Sequence, residues 1–468
     1  MKSAIQLPLK DEKEIIDKAK DWAVMHGVGM RSRQNFDEDS IVFAPFTLLP
    51  SLIKKENFQE VVMTQRVMSE LMHRVAHDHD FLESSLRKTV EYDSFTKKLF
   101  ELYTTVYNEG FGQVLSLGIF RSDYLFDESA NRMKQVEFNT IASSFASLSS
   151  QVAKLHRYVL REIGRDALTE KLPDNPALEG VCAGIVHAWD IYNKKTAVVM
   201  FLVEETTYNI CDQRFMEFEI RRQQPLIRVI RRKFSELSTA KLGPKKQLFL
   251  KDDLEVAVVY MRTGYSPNQY RDEGDWETRL LIERSSAIKC PSVQYQLAGT
   301  KKVQQVLATP GTVERFITNA EDVKNIRNLF TEIYSLDLDA GGDLAYNLAL
   351  KNPEDFVLKP QREGGGNNTY GSDIPNLLNS MTPEERQSMI LMKLIKPVPI
   401  KNMIIQRGQP CAVSDVISEL GIFSYVIGSA SDIVAVKPAG HMLRTKLATS
   451  TEGGVASGYG ALDSPFLV

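Results

Sequence analysis

Apolar residues recur at helical spacing through the first hundred residues, then give way to short runs with strand character. Over residues 11–25, Ile15, Ala19, Trp22 and Val24 fall on one face, and over 57–78 Val61, Met68, Leu71 and Val75 repeat the pattern. Two amphipathic helices are predicted there, separated by FAPFTLLPS, where Pro45 and Pro50 break any helix. A third helix is predicted from Ser94 to Asn108, ending at Gly110. KQVEF at 134–138 alternates like a strand and runs into the polar segment NTIASSF. From 196 the order is strand (TAVVMFLV), helix (209–223), strand (LIRVIRR), strand (VAVVYMR) and helix (275–288). That succession predicts a small parallel α/β lobe inserted in a larger body. Helices at 300–307 and 321–334 then precede a strand, FVLK (356–359), which feeds directly into QREGGGNNTYG. The tail alternates again through ILMKLI, NMIIQ, VISELGIFSYVI and DIVAVKP, and closes in a stretch rich in glycine and small residues.

Composition narrows the function classes. A chain of 468 residues exceeds one simple domain and predicts two or three packed lobes. With 57 Lys+Arg against 60 Asp+Glu, it lacks the basic excess of a nucleic-acid protein or a polybasic membrane anchor. The first dozen residues turn acidic and amphipathic, so no secretory apolar region is expected, and apolar runs such as 197–203 are too short to span a bilayer. Cys182, Cys211, Cys290 and Cys411 lie far apart with no C-x-x-C spacing, which predicts free thiols in a reducing cytoplasm.

The candidate chemistry concentrates in three places. Lys359-Pro360-Gln361-Arg362-Glu363-Gly364-Gly365-Gly366-Asn367-Asn368 puts three glycines after a strand, where backbone N–H groups can approach an anion. The lysine offers a point charge to phosphates and Glu363 a metal ligand. No Gly-Lys-Ser/Thr follows, so it is not a Walker A motif, and a turn between antiparallel strands is the structural alternative. Glu137 and Asn139 stand at i and i+2 on a strand, hence on one side, with the oxygen donors that suit Mg²⁺. Arg444-Thr445-Lys446 precedes a small-residue loop, Gly453 to Gly458, able to close over an anionic ligand. Arg121, before the Glu137 strand, has the fork to hold a carboxylate, and Arg262 and Tyr265 follow a strand at the end where α/β sheets place ligands. His73 and His77 have i, i+4 spacing, but His79 falls off their face and no H-E-x-x-H is formed. A cationic helix C-terminus is the expected role of these histidines rather than a metal site.

Taken together, these segments resemble the eukaryotic glutathione synthetases, ligases of the ATP-grasp fold. APFTLLPS, RSDYLF, VEFNTI, NICDQR, RTGYSP, QLAGTKKVQQ, FVLKPQREGGGNN, ISELGIF and LRTK occur in family order over nearly the whole chain. The resemblance implies a mixed α/β (α+β) fold: an ATP-grasp body with an antiparallel sheet and lid, an inserted parallel α/β substrate lobe, and a helical N-terminal region. The expected boundaries are 1–195 for the helical region and part of the body, 196–300 for the lobe, and 301–468 for the rest of the body. The lid is expected at about 335–412.

It further implies a cytoplasmic homodimer that joins γ-glutamylcysteine and glycine with ATP and Mg²⁺, through an acyl phosphate. Glu137, Asn139 and Glu363 fall on magnesium positions. Glu137, Lys301, Lys359, Glu363, Gly364, Gly365, Gly366, Asn367, Asn368 and Tyr370 fall on ATP positions. So do Met392, Lys393, Leu394, Ile395, Glu419, Lys446 and Glu452. Substrate positions are Arg121, Ile141, Ala142, Ser143, Ser144, Asn209, Gln213, Arg262, Thr263, Gly264, Tyr265, Arg444, Val455 and Ala456. The expected catalytic group is Arg121, Lys301, Lys359, Glu363 and Arg444. Two segments depart from the family pattern. Ile141-Ala142-Ser143-Ser144-Phe145 loses one hydroxyl and moves another, and the adenine hinge reads Met392-Lys393-Leu394-Ile395 where Met-Glu-Lys-Ile is expected. Small residues at 455–458 favour glycine over β-alanine as acceptor. A nucleotide-binding scaffold and a kinase that stops at phosphorylation are the alternatives from other classes.

Overall fold

The computed structural model describes residues 11–363, 365–451, 453–455 and 458–468. Its central element, among these residues, is a seven-stranded sheet in the order Ile400–Ile405, Phe46–Thr47, Ala461–Asp463, Ile433–Leu447, Val413–Gly428, Ser116–Asp127, Arg132–Asn139. The three longest neighbours run antiparallel, with Val426 opposite Gly118 and Val436. Both faces of this sheet are covered. Phe120 and Val426 face one core, packed by the helix Lys55–Ala76 through Met68, Leu71 and Val75. Ile119, Phe423, Tyr425 and Ile427 face the other, packed by Ala146–Glu162 and Ala177–Tyr192. A strand buried on both sides reads as a continuous apolar run. Each large side chain sequestered there contributes about 1.5–3 kcal/mol.

Close approach to the second face depends on missing side chains. A Cβ on Gly180 would lie 2.6 Å from Ala439 Cα, so this glycine lets the Ala177–Tyr192 helix lie directly on the strand.

A second sheet is built from Val229–Arg232, Val198–Leu202, Glu255–Met261 and Ile288–Cys290, all parallel, extended by the antiparallel Leu248–Phe249 and Lys241–Leu242. A third, fully antiparallel, has the order Ile333–Ser335, Ile390–Lys393, Phe356–Lys359, Thr369–Tyr370. The predicted α/β lobe and antiparallel body thus correspond to separate sheets, in a mixed α/β fold.

Several expectations need correction. In the first helix, Glu12–Met25, Val24 is exposed and Ala23 takes the buried place beside Ile15, Ile16 and Ala19. The helix expected over 275–288 ends at Arg284, because Ile288–Cys290 pairs as the next parallel strand. The one expected over 321–334 ends at Leu329, and Ile333–Ser335 becomes an edge strand. His73 and His77 are not cations at a helix end. Burial holds both below the usual histidine range, His73 at about 4. Tyr295 Oη lies 2.6 Å from His73 Nδ1, and Nε2 lies 2.9 Å from the Ser429 carbonyl. Neutral histidine meets both by accepting from tyrosine and donating to the carbonyl. The cysteines are free. No helix among the described residues is long and apolar enough to cross a membrane.

Candidate active site

The strands Ser116–Asp127, Arg132–Asn139, Val413–Gly428 and Ile433–Leu447 carry charged residues to one patch, because register places them side by side. Arg121 lies opposite Asn139, Asp123 opposite Glu137, and Glu419 opposite Arg444. Asp123, absent from the sequence reading, is fully buried at the centre of this patch. It accepts from Arg121 Nε at 2.6 Å and Nη2 at 2.7 Å, and from Asn139 Nδ2 at 3.0 Å, while Arg444 Nη2 stands 3.4 Å away. Arg444 also pairs with Glu419. Gly421 permits the crowding, since a Cβ there would sit 2.8 Å from both Arg121 Cδ and Asp123 Oδ1.

The glycine-rich segment enters from the antiparallel sheet as the connection between Phe356–Lys359 and Thr369–Tyr370. Gly365 and Gly366 have φ of 74° and 76°, a left-handed backbone that glycine adopts without penalty. Lys301 opens the helix Lys301–Ala308 and reaches both candidate metal ligands, with Nζ 2.9 Å from Glu363 Oε1 and 3.4 Å from Glu137 Oε2. Two carboxylates from different elements therefore converge on one cationic atom.

Electrostatics differ across the patch. Burial works against charge on Glu137, but Lys301, Arg444 and Lys359 outweigh it and hold the carboxyl below its ordinary range. Burial raises Glu363, and Lys301 only partly offsets that because Glu137 repels it. Glu419 is raised by burial in the same way, against the pull of Arg444. Lys359, buried and bonded to the Val136 carbonyl at 3.0 Å, is pushed down to about 8 by desolvation. Lys301 moves the opposite way, because Glu363 and Glu137 overcome its burial.

A cavity of about 700 Å³ opens over the patch. Arg121, Glu137, Asn139, Glu419, Arg444 and Lys446 line it from the central sheet. Lys359, Glu363, Gly365, Asn368 and Tyr370 line it from the glycine-rich side, and Met392 through Ile395 from the neighbouring strand. Ile141 through Ser144, Tyr265 and Val455 complete the wall. Lys301, Gly366, Asn367, Asn209, Gln213, Arg262, Thr263 and Gly264 do not line it. Lys301 meets it through the two carboxylates, and Arg262 through Ser144, whose hydroxyl accepts from Nη2 at 2.6 Å. Gln213 donates to Asn209 and accepts from Arg231, a guanidinium the sequence reading missed. Arg33 is a further unforeseen cation on the wall. Gly364, Glu452 and Ala456 lie outside the described residues. At the hinge, the N–H groups of Lys393 and Leu394 already donate to Glu332 and Asp355 carbonyls, and the Lys393 ammonium pairs with Glu332. Among the described residues no three His, Cys, Asp or Glu side chains form a metal cluster, the histidines at 73–79 included.

Comparison with known proteins gives the family. The model of the eukaryotic glutathione synthase ATP-binding domain matches residues 10–467. The chain belongs to the eukaryotic glutathione synthase family. Glutathione synthetase of Xenopus laevis is 43% identical over 462 residues, covering 97% of each chain. That of Homo sapiens is 41% identical with the same coverage. The chloroplastic glutathione synthetase of Arabidopsis thaliana is 36% identical, covering 96% of this chain and 84% of its own length. Among solved structures, a glutathione synthetase-like effector from Globodera pallida in its apo form superimposes with a TM-score of 0.80 at 25% identity. It covers 100% of this chain and 99% of its own. The family model is that of an ATP-binding domain, and lysines such as Lys359 and Lys446 on the cavity wall are groups that suit a polyphosphate.

Proposed function

We propose that the protein is a glutathione synthetase, which uses ATP to join γ-glutamylcysteine to glycine with release of ADP and phosphate. The observation that carries this reading is the meeting of Glu137 and Glu363 on the Lys301 ammonium at the edge of a cavity walled by Lys359, Arg121 and Arg444. Carboxylates already gathered around one cation, one of them short of neutralisation, fit a hard divalent ion. Glu137 and Glu363 would hold Mg²⁺, with Asn139 beside them. When bound, the metal neutralises phosphate charge and polarises the transferring group.

The remaining steps belong to this chain's own residues. Lys301 and Lys359 hold the polyphosphate and balance charge as the γ-phosphoryl group passes to the cysteinyl carboxylate, forming an acyl phosphate and ADP. The glycine amine then attacks the acyl carbon, and phosphate departs with the electron pair of the C–O bond. Arg121, fixed by Asp123, donates to the oxyanion that forms on the way. The amine's proton leaves with phosphate. Water competes for the acyl phosphate, so the described glycine-bearing stretches 365–368 and 453–455 are the candidates for lids in this reading. Glycine rather than β-alanine is the acceptor in this reading, in keeping with the small residues at 455–458. A cytoplasmic homodimer is part of the same reading.

The test is ADP release with Mg²⁺-ATP and γ-glutamylcysteine, with and without glycine, together with mass detection of the tripeptide. Glycine-dependent ADP release matched by tripeptide is the expected result. ADP without tripeptide would indicate a kinase, and no turnover a nucleotide-binding scaffold.

A further inference from the structure

Lys301 and Glu363 stand 62 residues apart in the chain, yet Nζ and Oε1 are 2.9 Å apart in space. That meeting depends on how the helix Lys301–Ala308 is seated against the connection that follows Phe356–Lys359. A helix N-terminus leaves backbone N–H groups without partners, and the N-cap side chain ordinarily takes one of them. Thr300, at the N-cap, does not, because its hydroxyl turns back to the Leu297 carbonyl at 2.8 Å. The cap comes from the connection instead. Gln361 Oε1 accepts from the Lys302 backbone N–H at 3.1 Å. The same carboxamide donates through Nε2 to the Ser388 carbonyl at 2.9 Å, shortly before the strand Ile390–Lys393. Gln361 is 6% exposed, so water has little access to either bond.

One amide thus ties three pieces together: the first turn of the Lys301 helix, the connection that carries Glu363, and the strand whose end lines the cavity. The neighbouring anchors do not join the same pieces. Arg362 pairs with Asp93, at the N-cap of the helix Ser94–Glu109, and Lys302 Nζ pairs with Asp337. Gln361 does not line the cavity, so its influence passes through the two groups it seats. We propose that Gln361 is a positioning residue. By capping the Lys301 helix from the Glu363 connection, it fixes the Lys301 ammonium against Glu363 and sets the geometry in which the γ-phosphoryl group is transferred. This role rests on the reading of the protein as a glutathione synthetase.

The test uses two variants of the full chain. Gln361→Met keeps the length of the side chain and removes both bonds. Gln361→Glu keeps an acceptor for the Lys302 N–H and loses only the donor to Ser388. In the ligand-free protein, amide hydrogen exchange over 300–305 is expected to quicken at least about tenfold in Gln361→Met and to stay near wild type in Gln361→Glu. Tripeptide formation, measured well below the melting midpoint, is expected to lose about 10- to 100-fold in kcat in Gln361→Met, the cost of displacing a reacting group by about 1 Å. KM for γ-glutamylcysteine should not change, and Gln361→Glu should recover most of the lost kcat. In a Glu363→Gln background the methionine substitution should cost no more than about a further threefold, because residues that act through one contact are not additive. A glutamine needed only for folding would lower the melting midpoint and leave kcat at the wild-type value, which overturns the proposal. Unchanged exchange over 300–305, a fully multiplicative loss in the double variant, or a Gln361→Glu protein as slow as Gln361→Met overturns it too. Each of these leaves the ligase intact. Wild-type protein that makes no tripeptide would instead overturn the functional reading, and the positioning role with it.

Discussion

Asp123→Asn is the substitution that separates the site's electrostatics from its shape. Asparagine matches aspartate in volume, so no cavity opens, and only the charge and one acceptor are lost. Asp123 is wholly inaccessible and the Arg121 side chain is 6% exposed, so little water can replace the partner of the guanidinium left behind. Breaking a buried ion pair from one side costs about 3–5 kcal/mol. Unfolding entropy of about 2.1 cal/mol/K per residue gives roughly 1 kcal/mol/K for 468 residues. The expected fall in thermal midpoint is therefore about 3–5 °C if the chain melts as one unit. Activity should fall further than stability, because Asn139 and Arg444 share the same carboxylate and Arg121 must be held still to meet an oxyanion. A loss of at least about tenfold in kcat, with KM for ATP changed little, is expected from one misplaced donor. Calorimetry or dye-monitored melting gives the first quantity, and steady-state ADP release at saturating substrates gives the second. A variant that melts within 1 °C of wild type (roughly 1 kcal/mol) and turns over normally would refute the reasoning.

Other consequences can be checked alongside. Gly421→Ala places a methyl 2.8 Å from Arg121 Cδ and Asp123 Oδ1, so it should mimic the loss of kcat without removing any charge. Unaltered kcat would show that the pair can shift freely. Glu363→Gln should cut turnover by at least about 100-fold and raise the Mg²⁺ concentration needed for half-maximal rate. Near-normal activity at low Mg²⁺ would remove Glu363 from the metal site. Lys359, held at about 8 by burial, is half neutral near that pH in the free protein. Its folded value lies below the ordinary 10.5, so the buried charge costs stability below pH 8, and that cost fades as pH rises from 8 toward 10.5. Polyphosphate favours the charged form. ATP binding at pH 8 should therefore take up about half a proton, measurable by titration calorimetry in buffers of different ionisation heat. The uptake should vanish in Lys359→Arg.

What the sequence made legible was local. Glu137 and Asn139 share a strand, Lys359 precedes three glycines, and Arg262 with Tyr265 ends an apolar run; spacing alone suffices to pick each out. Asp123 escaped because nothing near it in sequence marks it. Its importance comes from register, which sets it opposite Glu137 on one side and Gly421 on the other, and brings Arg444 within reach from 321 residues away. The helices Ala146–Glu162 and Ala177–Tyr192 were also missed. The second is apolar on nearly every side and carries two glycines, because it lies between the central and parallel sheets. Helical periodicity is a record of contact with water, and an element shielded by sheets carries no such record. The same reasoning explains why the family blocks were informative where periodicity was not. A block such as RSDYLF holds Asp123 together with Arg121, so the resemblance carries both members of the pair. Arg121 has the fork to hold a carboxylate, and in this structure the carboxylate it holds is that of Asp123. Nη1 reaches the Ser144 carbonyl at 3.1 Å instead, and the proposed oxyanion role falls to guanidinium N–H groups that Asp123 does not take.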